Sequence, residues 1–256
     1  MKNAFTLNVA VFLGTAASLI GQVVESPTTV SPGEWLIEAD IVAGTWDVSR
    51  MNGLRVATRE FTAAPVLIST GVSSNWDVQF AFDGWVEAEE QLSGGRETAS
   101  GWGDVWLRSK WNFSGDEESG PAWAILPYLK LPVADRAIGN GKFEGGAALV
   151  YGQPLGADNW MEAFVSGDTL HSEVGGRDEQ LVGGVVWGRN VTEGAAIYTE
   201  LLAEWISADE DALPVIWGMG ISPTVAEGVS LDFELLVGVT KEAPDWGAAV
   251  RLVWEL

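Results

Sequence analysis

Apolar and polar residues alternate along the last part of the chain, from Val229 to Leu256. The segments VSLDFELLVGVT and WGAAVRLVWEL keep this period of two, each over about ten residues. Such a period predicts β-strands whose successive side chains point to opposite faces. The short turn KEAPD joins the two segments, so we expect a hairpin with one apolar face.

The length and the charges of this hairpin indicate which way its apolar face turns. Strands of about ten residues are long enough to cross a bilayer when they are tilted. The opposite face carries Asp232, Glu234 and Arg251 near mid-strand, and such charges suit the polar lumen of a membrane barrel. The pattern therefore predicts a transmembrane β-barrel whose apolar face contacts lipid.

Similar segments recur through the rest of the chain, separated by turn residues. We predict an all-β fold, namely a transmembrane antiparallel up-and-down β-barrel of about 12 strands, an even number as in bacterial single-chain barrels. Short connections alternate with longer ones, which places both termini on the periplasmic side. A long polar loop is expected at residues 87–101. The predicted strands cover residues 34–45, part of 54–71, 76–83, 103–113, 122–131, 143–152, 159–166, 180–190, 194–206, 213–222, 229–240 and 246–256.

The distribution of tryptophan supports this map. The chain has 14 tryptophans, and all except Trp106 and Trp217 fall near predicted strand ends. Indole is apolar with one polar N–H, so aromatic girdles at the two membrane interfaces produce this distribution. A soluble Trp-rich β-sandwich with sugar-binding aromatics is the alternative, but it does not explain why the tryptophans collect at strand ends.

Residues 1–21 have the features of a secretory signal peptide. Lys2 stands near the start, a mostly apolar run covers Val9 to Ile20, and small residues follow at possible cleavage positions. An uncleaved anchor is the alternative. We expect residues 22–33 to form an N-terminal lead and residues 34–256 to form a barrel in the outer membrane of a Gram-negative-type envelope.

Composition restricts the classes of function. The net charge of −22 argues against a nucleic-acid partner, because phosphate backbones attract basic surfaces. The chain has no cysteine, so no disulfide framework, thiolate nucleophile or cysteine metal site is available. A mean hydropathy of +0.12 is unusual for so acidic a soluble chain. A membrane barrel explains both properties, because its outer face is apolar and its lumen is polar.

Five stretches carry a resemblance to a known family: SPGEWLIEADI, GDVWLRSKW, PAWAILPYLKLPVADRAIGNGKFEGG, YTELLAEW and GMGISPTVAEGVSLDFELLVGVTKEAPDWGAAVRLVW. With gaps, they span residues 31–256. The chain resembles the MetA-pathway of phenol degradation family. The resemblance implies an outer-membrane barrel, inserted by the barrel-assembly machinery, with a transporter-like role in the uptake of hydrophobic or aromatic compounds. One departure concerns the assembly signal, since such barrels usually end in an aromatic residue and this chain ends in Leu256.

The sequence offers few candidates for catalysis. His171 is the sole histidine and lies in a predicted outer loop with Asp168 and Glu173 nearby, but no GxSxG nucleophile elbow accompanies it. Paired acids such as Glu38 and Asp40 have the spacing that glycosidases use, yet a period of two produces such pairs along any acidic lumen face. We therefore predict no catalytic residue, no cofactor and no metal site.

The inward charges indicate a function more directly. Acids outnumber bases among them, so we expect a wetted lumen that favours cations or neutral solutes over small anions. The predicted function is an outer-membrane channel or transporter for small solutes, surrounded by outer-membrane lipid. The alternative is a secreted soluble acidic Trp-rich β protein that binds or hydrolyses carbohydrate. The lumen-facing candidates are Glu38, Asp40, Asp104, Arg108, Lys110, Glu200, Glu204, Asp232, Glu234 and Arg251.

Overall fold

A computed structural model describes residues 24–51, 54–92, 95–117, 119–172, 175–209 and 212–256. The predicted signal peptide lies outside these described residues. Within them, the chain forms fifteen β-strands and one 3₁₀ turn at Ser207–Asp209. The strands are β1 (Trp35–Met51), β2 (Leu54–Ala63), β3 (Val66–Ser73), β4 (Trp76–Phe82), β5 (Trp85–Leu92), β6 (Gly95–Trp102), β7 (Val105–Ser114), β8 (Ala122–Leu131), β9 (Glu144–Pro154), β10 (Asn159–His171), β11 (Arg177–Thr192), β12 (Ala195–Ile206), β13 (Val215–Ala226), β14 (Val229–Gly238) and β15 (Trp246–Glu255).

Pairing between the first and last strands closes the sheet into a barrel. The antiparallel register of β1 and β15 runs from Leu36 opposite Glu255 to Trp46 opposite Trp246. The closed ring contains twelve of the described strands, namely β1, β3, β4 and β7 through β15. This confirms the predicted antiparallel barrel and its strand number. We call the end that holds residues 34 and 256 the terminal end, and the opposite end the loop end.

Three wall strands continue past the ring after a short break. The breaks are Ala64–Pro65 between β2 and β3, Asp83–Gly84 between β4 and β5, and residues 103–104 between β6 and β7. Pro65 lacks the N–H that a sheet ladder needs, and Gly84 has a φ of 73°. Beyond the breaks, β2, β5, β6 and residues 43–51 of β1 pair with one another. We call these four segments the outer sheet.

The outer sheet corrects the predicted loop at residues 87–101, which was wrong. β5 and β6 form a hairpin there, paired from Trp85 opposite Trp102 to Leu92 opposite Gly95. Most side chains of β6 are exposed whichever face they occupy. They therefore show no apolar alternation, and backbone pairing with β5 supplies the structure instead. β1 and β10 also extend beyond their predicted ends, to Met51 and His171, where backbone pairing with β2 and β11 continues.

Side chains of the wall strands alternate between the lumen and the outside. On β14, Phe233, Leu235 and Val237 are 43%, 56% and 43% exposed, whereas Asp232 and Glu234 are 7% and 3% exposed. The apolar residues face outward and the carboxylates face inward, as the pattern predicted. No helix among the described residues is long and apolar enough to cross a membrane.

Tryptophans lie at both rims of the wall. At the loop end, Trp46 stacks on Trp246 with ring centroids 4.0 Å apart. At the terminal end, Trp35 and Trp111 are about half exposed. Trp106 is different, because it is 3% exposed and belongs to an apolar cluster inside the barrel. Trp106 therefore lies on the lumen side of the wall and outside both girdles.

Candidate functional site in the barrel lumen

Nine of the ten lumen-facing candidates lie on inward positions of five wall strands, and Asp104 directly precedes β7. Eight of them are buried, and Glu38 and Glu204 are partly buried. The structure divides the ten into three groups, which occupy the closing seam, the β12–β14 wall and the β7–β8 wall. These groups are Glu38, Asp40, Asp232 and Arg251; Glu200, Glu204 and Glu234; and Asp104, Arg108 and Lys110.

The first group lies at the seam between β1 and β15. Arg251 Nε donates a hydrogen bond of 2.8 Å to Asp40 Oδ1, and Arg251 Nη1 lies 3.7 Å from Glu38 Oε1. Asp232 is directly opposite Arg251 in the β14–β15 register. The Arg251 guanidinium thus neutralises charge on three carboxylates that come from both ends of the chain.

In the second group, Glu200 and Glu234 form an acidic wall over glycine, whereas Glu204 accepts a hydrogen bond from the Gln180 side chain. A Cβ on Gly218 would lie 2.8 Å from both Glu200 Cγ and Glu234 Oε1. A Cβ on Gly220 would lie 2.4 Å from the Tyr198 hydroxyl oxygen. The two glycines therefore leave room for the acidic side chains and the phenol to pack together. Two ionised carboxylates in contact repel each other, so the Glu200–Glu234 pair is stable when a proton or a cation shares the space.

Arg108 and Lys110 of the third group bind the N-terminal lead, whose described part begins at Val24 inside the lumen. Arg108 and Lys110 both form ion pairs with Glu25, the latter at 3.6 Å between Nζ and Oε2. Burial alone would raise the pKa of the Glu25 carboxyl, but the charges of Arg108 and Lys110 outweigh burial and lower its pKa to about 2. Val24 is 2% exposed and packs against the wall.

Further contacts align the lead along the wall. The hydroxyls of Ser26 and Thr28 donate hydrogen bonds of 2.9 and 2.8 Å to Glu117 Oε2. Lys110 Nζ donates to the Thr28 carbonyl at 3.1 Å, and the Val30 N–H donates to Asp77 Oδ2 at 3.1 Å. Polar contacts that water could replace therefore hold most of the lead.

An apolar layer lies beside the lead, and the sequence reasoning missed it. Trp106 and Tyr128 meet edge to face at 6.2 Å between ring centroids, and Leu126, Leu67 and Phe164 belong to the same cluster. The Tyr128 hydroxyl donates a hydrogen bond of 2.5 Å to the buried carboxylate of Asp168. The inward phase of the mid-strand Trp106 was the signal that could have indicated this layer.

The 132–143 loop contacts charged lumen residues at the loop end. Lys130 Nζ lies 3.4 Å from Asp104 Oδ2 and 2.5 Å from Glu144 Oε2. Asp104 Oδ1 accepts a hydrogen bond of 2.8 Å from the backbone N–H of Ala134 in this loop. The Asp135 carboxylate accepts one of 2.8 Å from the Trp102 N–H at the edge of the outer sheet. Charged lumen residues thus fix the position of this loop.

A cavity of about 980 Å³ occupies the lumen between the lead and the wall. It extends from Arg108 and Lys110 to the terminal end at Glu34 and Glu255. Its lining combines apolar residues that include Leu67, Leu126 and Phe164 with charged residues that include Arg108, Lys110 and Asp232. The cavity is therefore amphipathic and large enough for a small organic molecule.

The catalytic candidate lies apart from this cavity. His171 ends β10 rather than lying in a loop, and its backbone N–H donates a hydrogen bond of 2.7 Å to Glu144 Oε1. Its predicted neighbour Glu173 lies outside the described residues. Among the described residues, no group of three or more potential ligands is arranged to hold a metal ion.

Residues 22–256 match the family described as "Putative MetA-pathway of phenol degradation". The COG4313 outer membrane channel from Pseudomonas putida F1 is similar, with a TM-score of 0.66, 13% identity, and coverage of 90% of this chain and 97% of that chain. The NanC porin has a TM-score of 0.54 and 9% identity, with 85% and 100% covered. The translocator domain of the autotransporter NalP from Neisseria meningitidis has a TM-score of 0.51 and 11% identity, with 87% of each covered. No curated protein matches the chain.

The closed barrel and its likeness to barrels of outer-membrane proteins confirm the predicted fold. At these identities, the structural likeness establishes the fold alone. The similar structures are named as a channel, a porin and a translocator domain. The soluble alternative is not supported, because the exterior of the closed wall is apolar.

Proposed function

The chain belongs to the family described as "Putative MetA-pathway of phenol degradation", and from this premise we propose that the barrel passes small apolar or aromatic solutes across the outer membrane. The observation that carries this proposal is the amphipathic cavity beside the Trp106–Tyr128 layer. An apolar solute gains about 25 cal/mol for each Å² of apolar surface removed from water. A lumen with an apolar wall can therefore favour such a solute over water.

The COG4313 structure is named as an outer membrane channel, and its barrel resembles this one. The family description refers to phenol degradation, which concerns an aromatic compound. The channel name agrees with passage through the barrel, and the family name agrees with an aromatic solute. In this proposal the loop end faces outward, the terminal end faces the periplasm, and the barrel-assembly machinery inserts the chain among outer-membrane lipids.

Passage requires the lead to shift, because its residues from Val24 onward lie inside the barrel. The contacts of the lead with Arg108, Lys110 and Glu117 are polar, so water can replace them as the lead moves. Lys130 and Arg251 keep acidic partners on the wall when the lead moves, and the buried acids of the wall outnumber its buried bases. An opened lumen therefore keeps an acidic surplus, from which we infer a preference for cations and neutral solutes over small anions.

Uptake of radiolabelled toluene at low concentration by cells with an intact lipopolysaccharide layer tests this function. Leu126→Gln places a polar group in the apolar layer, where Leu126 is 2% exposed. It should lower uptake about tenfold, which corresponds to about 1.4 kcal/mol of lost apolar contact.

Ile125→Gln, one residue away on the outer face, is the matched control and should retain uptake once the amount of folded barrel is equalised. Uptake no faster than in cells without the barrel would refute the proposal. Equal uptake by both variants would refute the role of the apolar layer.

A further inference from the structure

Two neighbouring bases on β7 face the cavity, and a carboxylate of the lead forms ion pairs with both. Arg108 and Lys110 are two residues apart on one strand face and are 4% and 7% exposed. Glu25 belongs to the lead, which lies inside the barrel and is not one of the wall strands. The ion pairs of Glu25 with both bases are therefore contacts between a barrel site and an internal carboxylate ligand.

The Arg108 guanidinium has a hydrogen-bond donor that Glu25 does not use. Arg108 donates to Glu25 through Nη2, while its buried Nε has no hydrogen-bond partner among the described residues. A guanidinium prefers to bind a carboxylate through two parallel N–H groups. A carboxylate that reaches both Nε and Nη2 would satisfy the unused donor, while Lys110 would add a second positive charge.

We propose that Arg108 and Lys110 form a binding site for the carboxylate of a solute with an apolar or aromatic body, and that Glu25 occupies this site when no such solute is bound. This inference rests on the proposed function and names a substrate class for it. We call these two residues the carboxylate site.

The surroundings of the carboxylate site fit such a solute. The cavity that contains both bases is also lined by Leu67, Leu126 and Phe164, so an apolar body attached to the carboxylate has an apolar wall to contact. Exchange of the Glu25 carboxylate for that of a solute leaves the charge next to the bases unchanged. An organic acid can therefore bind although the rest of the lumen is acidic, whereas a small inorganic anion gains no apolar contact.

Acidic residues near the carboxylate site favour a positively charged solute over a carboxylate. This is the strongest alternative to the proposed site. Asp77 and Glu162 lie close enough to Lys110 to interact with its charge. If these acids dominated, the lumen would bind an amine of the same shape instead. A comparison of matched probes of different charge decides between the two explanations.

The test measures binding of 2-naphthoate, 2-naphthylmethylamine and 2-methylnaphthalene to the whole barrel in lipid nanodiscs. The wild type should bind 2-naphthoate most tightly. Glu25→Gln should tighten binding of 2-naphthoate about tenfold. If Glu25 leaves the carboxylate site free in about one wild-type molecule in ten, the apparent affinity of the wild type is lowered by that factor of ten. Affinity for the other two probes should change little.

Glu34→Gln is the matched control, because it removes the same charge from the exposed mouth of the cavity. It should leave the affinity for 2-naphthoate unchanged. Equal effects of the two substitutions, no effect of Glu25→Gln, or tighter binding of the amine than of the carboxylate would overturn the proposal.

Lys110→Gln and Arg108→Gln should each weaken 2-naphthoate binding about tenfold or more, since each removes a charged hydrogen-bond donor. Heat-modifiable electrophoretic mobility shows whether these wall variants fold. Glu25→Gln changes only the lead, so it keeps the test valid if a wall variant fails to fold.

Toluene uptake separates this inference from the proposed function. If cells take up no toluene but Glu25→Gln tightens 2-naphthoate binding, the proposed function fails and the carboxylate site stands. If uptake is normal but all variants bind 2-naphthoate equally, the carboxylate site is rejected and the proposed function stands.

Discussion

Replacement of Arg251 by methionine should destabilise the barrel at its closing seam. Arg251 is 3% exposed and bonds at 2.8 Å to Asp40, which is fully buried. Removal of one partner of a buried ion pair leaves an uncompensated charge and costs about 3–5 kcal/mol. Glu38 and Asp232 share the same guanidinium, so we expect the free energy of unfolding to fall by an amount near the upper end of this range.

The double variant Asp40→Asn/Arg251→Met isolates the electrostatic cause. It removes both charges of the seam pair, so it should recover at least about 1.5 kcal/mol relative to Arg251→Met alone. Lys241→Met is the control for loss of one positive charge. Its side chain is 91% exposed, and exposed ion pairs contribute at most about 1 kcal/mol.

Urea titration of the barrel in lipid vesicles provides the measurement. Tryptophan fluorescence and heat-modifiable mobility should report the same transition, from which the free energy of unfolding follows. If the double variant is no more stable than Arg251→Met, the loss does not arise from an unpaired Asp40. If Arg251→Met is as stable as Lys241→Met, the seam pair contributes nothing and the reasoning fails.

The remaining predictions concern the faces, the end of the chain, the lead and ion selectivity. Leu235→Arg should cost about 2–4 kcal/mol at the lipid face and reduce the folded fraction on gels more than Glu234→Arg; equal tolerance would contradict the assignment of faces. Deletion of residues 254–256 removes the pairing of the last residue with Trp35 and should sharply reduce membrane insertion, so normal insertion would reject the role of the closing strand. Because the folded pKa of Glu25 is about 2 and its ordinary value is 4.5, its stabilising contribution is present above pH 4.5 and is lost as the pH falls towards 2. The difference in unfolding free energy between the wild type and Glu25→Gln should follow that course; a difference that is the same at pH 7 and pH 2 would exclude an electrostatic origin. A barrel without residues 22–33 should show a cation-selective reversal potential in a KCl gradient that fades from 0.1 M to 1 M salt as the screening length falls from about 10 to about 3 Å; anion selectivity would refute the acidic-lumen argument.

Local alternation in the sequence was sufficient to predict the barrel wall. A strand exposes its two faces to different surroundings at a period of two, so each membrane-spanning segment records lipid on one side and lumen on the other. This is why β14, with Leu235 outward and Glu234 inward, was predicted from its residues alone. The tryptophans added the positions of the rims, because indole partitions to interfaces.

The alternation of apolar and polar residues did not predict strands that lack either the lipid side or the lumen side. The strands of the outer sheet lie beyond the ring, and β6 exposes most of its side chains. Without an apolar side there is no alternation, so a paired strand resembled a loop. The breaks at Pro65 and Gly84 added local conformations that interrupt the period.

The chemistry of the lumen depended on tertiary structure. Asp40 and Arg251 are 211 positions apart, and Glu25 meets Arg108 across 83 positions. The phase of a strand shows that a charge points inward, but closure of the ring determines which opposite charge it meets. The sequence alone therefore determined the wall and its two faces, since these follow from local periodicity. The seam, the position of the lead inside the lumen and the carboxylate site required the closed barrel, because each brings together groups that no local pattern relates.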